Sequence, residues 1–326
     1  MADQTADNIL VSVVAPIYNE ESNVISLVRR IGEVFEQLSV DWEIVFALDP
    51  CTDRTEEKIL ELIDEGFPIR LVKFSRRFGK PVSLIAGLRH CLGDACIVID
   101  SDLQDPPELM ATMIEKWREG NLVVIAQRTS REGENFIYLK LAELFYWILE
   151  KFSEVKVPRN TGDFRLLDKR VVQEISRINE RHGFLRGLTS VVGFKTSVIP
   201  FDRDSRLSGK TQISILGAFG IALDGIIPFS KWPIRFVLIL GLAIFFIGIS
   251  ALMLWTTGGL LSGFGENYFL HGFFIMTWIL FGVTLSSLGV VGEYVLRCYE
   301  DSRDRPLFIV DSIVEAERLS RKLSTG

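Results

Sequence analysis

Between residue 9 and about residue 200, short apolar runs alternate with segments whose apolar positions recur every three or four residues. The runs at 9–15, 42–48, 69–74, 95–99 and 122–126 are rich in β-branched and aromatic residues and read as strands. The stretches 19–38, 55–64, 81–91 and 109–119 carry helical spacing. The first of these opens on Asn19, a good N-cap, with Glu20 and Glu21 in its first turn. Alternation at this pitch predicts an α/β domain, a mostly parallel sheet covered by helices.

The pattern then changes. Residues 236–255 are 20 positions without a charge, and 269–292 are 24 more. Each is long enough to cross a hydrocarbon core of roughly 30 Å as a helix. The linker 256–268 is glycine-rich, with Glu266 its one charge. Lys231 and Arg235 flank the first span, and Arg297, Arg303 and Arg305 the second. That asymmetry predicts the preceding globular domain and both termini in the cytoplasm, with the short loop outside. Trp232, Trp255 and Tyr268 stand near the expected interfaces. The layout expected is a globular domain over 1–210, an interfacial amphipathic region over 211–233, a transmembrane hairpin over 234–296 and a cytoplasmic tail over 297–326. Gly241 and Gly248, with Gly282, Ser286 and Gly289, give small faces suited to helix packing, so a homo-oligomer is expected. The aromatic stretch 138–152 suits either core or lipid contact.

Composition narrows the classes. Net charge is −6 with no basic run, which argues against a nucleic-acid partner. Cys51, Cys91, Cys96 and Cys298 form no Cys-x-x-Cys pair, and buried reduced thiols are expected. No Gly-x-Gly-x-x-Gly follows the first strand and no Walker loop occurs, which disfavours dinucleotide and P-loop folds.

The chemistry gathers after the strands. The fourth run ends in Asp100-Ser101-Asp102-Leu103-Gln104-Asp105-Pro106-Pro107-Glu108. Residues two apart in extended chain face the same side, so Asp100 and Asp102 can face one cation. Parallel α/β sheets bind ligands at the carboxyl ends of their strands. A Mg²⁺ or Mn²⁺ held there by two carboxylates keeps positions for water and substrate phosphates. Asp49 and Asp53 follow the second strand and suit hydrogen bonds from a nucleobase or ribose, Asp53 equally an N-cap. Arg76, Arg77 and Lys80 after the third strand, and Arg128 and Arg131 after the fifth, suit either a phosphate or a solvated turn. Asp163 is a candidate base or orienting group, and Arg165 a candidate ion-pair partner. His182 reads as structural, Arg186 as a stronger candidate. Arg206 and Lys210 lie in a polar loop suited to closing over a diphosphate, to gripping a lipid phosphate, or simply to anionic lipid nearby.

Val14-Ala15-Pro16-Ile17-Tyr18-Asn19-Glu20-Glu21, the Asp100–Glu108 run, and Gly292-Glu293-Tyr294 with Arg305-Pro306 together resemble the membrane-anchored family 2 glycosyltransferases. Within that family the chain is most similar to polyisoprenyl-phosphate glycosyltransferases of the GtrB (bactoprenol glucosyltransferase) and dolichol-phosphate mannose synthase type. The resemblance implies a GT-A fold followed by two transmembrane helices, a nucleotide-sugar donor, a divalent metal and a polyisoprenyl-phosphate acceptor held at the membrane lipid surface. By position, Pro16, Tyr18 and Glu20 would border the nucleoside with Asp49. Asp100, Asp102 and Gln104 would bind the metal. Asp163 and Arg165 would lie near the acceptor, and Arg206 and Lys210 would belong to the closing loop. Two positions depart from the family pattern: Leu48 stands where a second acidic residue is usual, and Gln212 where a lysine is. The expected reaction is inverting transfer of a hexose, glucose favoured, from UDP-glucose to undecaprenyl phosphate. The alternatives are a mannosyl or other sugar on the same acceptor, and, from the two departures, a non-catalytic nucleotide-sugar-binding scaffold.

Overall fold

The computed structural model describes residues 9–38, 40–129, 161–178, 185–202, 266–302 and 305–316, with single positions between 237 and 253. The chain divides into two compact units, the first holding the whole sheet and the second the long apolar helix.

In the first unit the chain runs β1 (Leu10–Ile17), α1 (Val24–Leu38), β2 (Asp41–Leu48), α2 (Thr55–Asp64), β3 (Ile69–Phe74), α3 (Lys80–His90), β4 (Ala95–Val98), α4 (Leu109–Arg118) and β5 (Val123–Arg128). It continues with β6 (Thr161–Asp168), α5 (Lys169–Arg177), α6 (Leu185–Val191) and β7 (Thr196–Phe201). After α7 (Glu266–Ser302) of the second unit comes β8 (Val310–Glu315). The sheet has eight strands in the order β7-β5-β6-β4-β1-β2-β3-β8. Strands β1 to β4 pair in parallel, while β6 runs antiparallel to both β4 and β5.

Central strands buried on both faces need near-continuous apolar sequence. β1 satisfies this, with Val11, Val13, Ala15 and Ile17 packed in one core cluster and Val14 in the other. The first cluster takes its helical side chains from α1, α2 and α4, and the second from α3, α5 and α6. α3 lies especially close to β1. A Cβ placed on Gly87 would stand 2.4 Å from Cγ1 of Val14. Gly87→Ala is therefore expected to destabilise this unit by about 1–3 kcal/mol through overpacking, despite the better helix propensity of alanine. Thermal unfolding of the purified protein checks this, and an unchanged midpoint would mean that α3 shifts away from Val14 at no cost.

The chain steps outward from β1 to β2 and β3, then returns through α3 to β4 on the other side of β1. The β1/β4 boundary is thus a topological switch point, where ligands bind beyond the strand ends. Ser101 closes that boundary, its Oγ donating to the Pro16 carbonyl at 3.1 Å.

Three expectations are corrected here. Asn19 does not cap α1, which begins at Val24. Asn19 has φ of 54° and instead links two loops, its Nδ2 donating to Thr52 Oγ1 and its Oδ1 accepting from Thr52 N. An asparagine tolerates that left-handed backbone at little cost. The tail expected over 297–326 is not one element. α7 continues to Ser302, and Val310–Glu315 returns to the sheet as an antiparallel edge strand on β3. Arg70 secures it, with its Nη1 2.7 Å from Glu315 Oε1, and also lies 3.6 Å from the fully buried Glu43. Finally, α7 begins at Glu266, inside the expected linker.

In the second unit, α7 spans 37 residues, about 55 Å at 1.5 Å per residue. An 18-residue stretch of it, Ile279–Leu296, has a mean hydropathy of 1.7, enough by length and composition to cross a membrane. It is the one such helix among the described residues. The first predicted span, 236–255, falls largely outside them, although its described positions are helical and include exposed Ile239, Phe246 and Ile247. The interfacial region expected over 211–233 and the aromatic stretch 138–152 lie wholly outside them.

Candidate active site

The carboxyl ends of the parallel strands deliver acidic residues, and β6 brings one more from the opposite direction. β6 pairs with β4 so that Arg165 faces Val98. Continuing that register by two residues puts Asp163 opposite Asp100. Lys80, the first residue of α3, bridges them. Its Nζ lies 2.7 Å from Oδ1 of Asp100 and 3.2 Å from Oδ2 of Asp163. Arg186, near the start of α6, approaches Asp163 from another side, its Nε 3.1 Å from Oδ1.

Lys80 is placed by the loop before it. Asp49, only 3% exposed, accepts from the amides of Phe78 at 2.8 Å and Gly79 at 2.9 Å. Gly79 holds φ of 87°, a backbone that glycine adopts without strain. Asp49 thus anchors the β3–α3 loop, with both carboxylate oxygens engaged. In the same loop Arg77 lays its guanidinium 4.0 Å from the ring centre of Tyr18, joining the ends of β1 and β3. Pro16 is buried inside β1, and Glu20 accepts from Asn23 Nδ2 at 2.7 Å. Asp53 takes the local role: its Oδ1 accepts from Thr55 N and Oγ1, and its Oδ2 from Glu21 N.

The charges are strongly coupled. Burial opposes ionisation of Asp163, but Arg186, Lys80 and Arg165 outweigh it and hold the carboxyl well below the usual carboxylate range. Lys80 is the mirror case: desolvation disfavours its charge, yet Asp100 and Asp163 hold it above an ordinary lysine. Arg165 is 1% exposed, and burial pushes it down to about 10, so it remains a cation at neutral pH. It donates to the Gly162 carbonyl at 2.6 Å and to Thr189 Oγ1. It is therefore a buried brace between β6 and α6, held by a carbonyl and a hydroxyl.

The turn after β4 is shaped for ligation. Asp102 Oδ1 accepts from Gln104 N at 3.2 Å, and Leu103 between them holds φ of 60°. Left-handed backbone at a bulky residue costs energy and concentrates at functional sites. Gln104 is buried, and its Oε1 has no hydrogen-bond donor among the described residues. Two carboxylates and an amide oxygen are a hard donor set that fits Mg²⁺ or Mn²⁺ with substrate and water completing the shell. No group of three His, Cys, Asp or Glu suited to a metal occurs among the described residues.

Beside this turn, Arg128 at the end of β5 stands 3.9 Å from Asp105, which is 1% exposed, and 3.1 Å from where a Cβ on Gly162 would lie. Of the predicted residues, the structure brings together Lys80, Asp100, Asp163, Arg165 and Arg186. It places Asp102, Gln104 and Arg128 on the same sheet edge. Arg131, Arg206, Lys210 and His182 lie outside the described residues. Sequence reasoning passed over Asp105, although its place inside the acidic run is a signal that could have found it, and Thr189, which carries no sequence signal. A separate cavity of about 450 Å³ lies at the opposite end of the sheet, lined by Arg89, Cys91, Gly93, Lys169 and Arg177. It takes no part in this site. The four cysteines are free thiols, but against the expectation of burial only Cys96 is buried; Cys51 and Cys91 are partly exposed and Cys298 is exposed.

Comparison with known proteins fits this arrangement. The chain is 38% identical over 320 residues to the uncharacterized glycosyltransferase YkcC of Bacillus subtilis, covering 95% of this chain and 96% of that one. It is 36% identical over 309 residues to the bactoprenol glucosyl transferase of Shigella phage SfX, covering 93% and 99%. Among solved structures it is similar to glucosyl-3-phosphoglycerate synthase from Mycobacterium tuberculosis, at 19% identity and a TM-score of 0.44, over 66% of this chain and 76% of that one. Residues 12–176, from β1 through α5, match Glycosyl transferase family 2. With its mixed sheet and helices on both faces this unit is a GT-A-like α/β fold, and the chain belongs to glycosyl transferase family 2.

Proposed function

We propose that this glycosyltransferase moves a hexose, glucose favoured, from UDP-glucose to a polyisoprenyl phosphate such as undecaprenyl phosphate, with inversion, at the cytoplasmic face of the membrane. The observation that carries the reading is the juxtaposition of Asp100 and Asp163 through Lys80 at the sheet's carboxyl edge. It sets a metal-type acidic turn against a carboxylate braced by cations. Support for the sugar and acceptor comes from relatives named bactoprenol glucosyl transferase that match nearly the whole chain. An apolar helix suits an acceptor whose isoprenoid stays in the bilayer.

Asp100, Asp102 and Gln104 would hold a Mg²⁺ or Mn²⁺, which when bound supplies positive charge to the departing diphosphate. The remaining work falls to side chains. An oxygen of the acceptor phosphate forms the new bond to the anomeric carbon as the bond to the nucleoside diphosphate breaks. A phosphate monoester has a second pKa near 6 and is largely dianionic at neutral pH, so no proton need be removed. Asp163, ionised and held by Arg186 and Lys80, orients these cations toward phosphate rather than serving as a base. Arg128 is placed to add charge on the β5 side.

The test is transfer of labelled glucose from UDP-glucose to undecaprenyl phosphate by the purified full-length protein in detergent. Label is expected in the organic phase, lost with chelator and restored by Mg²⁺ or Mn²⁺. Transfer from GDP-mannose instead would replace the sugar assignment, and binding without any turnover would favour a scaffold.

A further inference from the structure

Lys80 holds both oxygens of Asp100, its Nζ 2.7 Å from Oδ1 and 2.9 Å from Oδ2. That is the position a cation bound by this carboxylate would share. Lys80 is also half-exposed on a four-carbon stem, so it is able to swing. Asp163 also pairs with Arg186 at 3.1 Å, so departure of the lysine still leaves Asp163 a cationic partner.

From this juxtaposition we propose that Lys80 is a built-in competitor for the divalent cation at Asp100. It closes Asp100 onto Asp163 before the metal binds and vacates Asp100 when the metal does, turning toward the donor's diphosphate. The proposal rests on the metal reading given above and deepens it. Its consequence is coupling: a diphosphate that draws Lys80 away from Asp100 raises metal affinity, and by reciprocity the metal raises nucleotide affinity. An ammonium and a divalent ion about 5 Å apart repel, even at the dielectric of water, by an amount corresponding to roughly tenfold in affinity.

Mn²⁺ titrated into the full-length protein without nucleotide, with free Mn²⁺ followed by electron paramagnetic resonance, tests this. Lys80→Met and Lys80→Gln are expected to bind Mn²⁺ about tenfold more tightly than wild type, while Lys80→Arg keeps the weaker affinity. Adding UDP should tighten wild type more than either neutral variant. Unchanged or weaker Mn²⁺ binding in both neutral variants, with Asp102→Ala still abolishing it, would overturn the competitor role and leave the metal site standing. Absence of saturable Mn²⁺ binding in wild type and in both neutral variants would overturn the metal reading and this proposal together. No sugar donor or acceptor is present, so neither result depends on which sugar is transferred.

Discussion

Asp102→Ala is expected to lower metal-dependent glycosyl transfer by about a thousandfold or more, with little change in thermal stability. A bound divalent ion contributes several kcal/mol to a charged transition state, and each 1.36 kcal/mol is tenfold in rate. Asp102 lies half-buried in the turn beyond β4, outside both apolar clusters, so its loss removes little from the core. Asp100→Ala should be equally inactive for a mixed reason, because it also strips Lys80 of its nearest partner. The comparison of interest is therefore kcat/KM against metal concentration for Asp102→Ala, alongside its unfolding midpoint. Retained turnover at saturating Mg²⁺ would remove Asp102 from the metal set. Loss of turnover with a collapsed midpoint would make Asp102 structural.

Much of this site was legible in the sequence because strand ends announce themselves. A buried run that stops in Asp100-Ser101-Asp102 has few physical explanations, and five of the strands emerged from apolar runs alone. The parts that were not legible depend on long-range pairing. β6 was read only as polar then apolar around Asp163, and its antiparallel insertion between β4 and β5 follows from no local pattern. β8 offers six residues, Val-Asp-Ser-Ile-Val-Glu, whose alternation is too short to outweigh its place after a long apolar helix. Asp49 looked like a ligand because it is a carboxylate at a strand end. It is occupied by Phe78 and Gly79 amides, bonds that only the folded loop makes. Arg165 is the sharpest case: a fully buried arginine is costly unless well paired, and its partners come from Gly162 and from Thr189 on another element. The resemblance to a family supplied what spacing could not, the expectation that these residues serve one reaction.

Asp163→Asn is expected to cost about a hundredfold or more in kcat/KM without moving the acidic limb of the pH profile. The carboxylate positions Lys80 and Arg186, and loosened positioning alone costs on that order. The pH argument follows from the sign of the shift. Asp163 has a folded pKa depressed below its unfolded value of about 3.9, so its contribution to stability is present above that value and is lost as pH falls through the folded one. Between pH 5 and 9 it stays ionised and cannot produce a limb. A limb near pH 6 in kcat/KM then belongs to the second ionisation of the acceptor phosphate, which reports on the free substrate. Measured in wild type and in Asp163→Asn, the two profiles should run parallel, displaced in height alone. Were Asp163 the base, the substitution would erase the limb, and a flat residual rate across pH 5 to 8 would restore that role. The asparagine is the informative replacement because it keeps the shape between β4 and β6. Alanine would remove the acceptor oxygens facing Lys80 and Arg186 as well as the charge and leave a void between the strands, and that added structural damage would mask the chemistry.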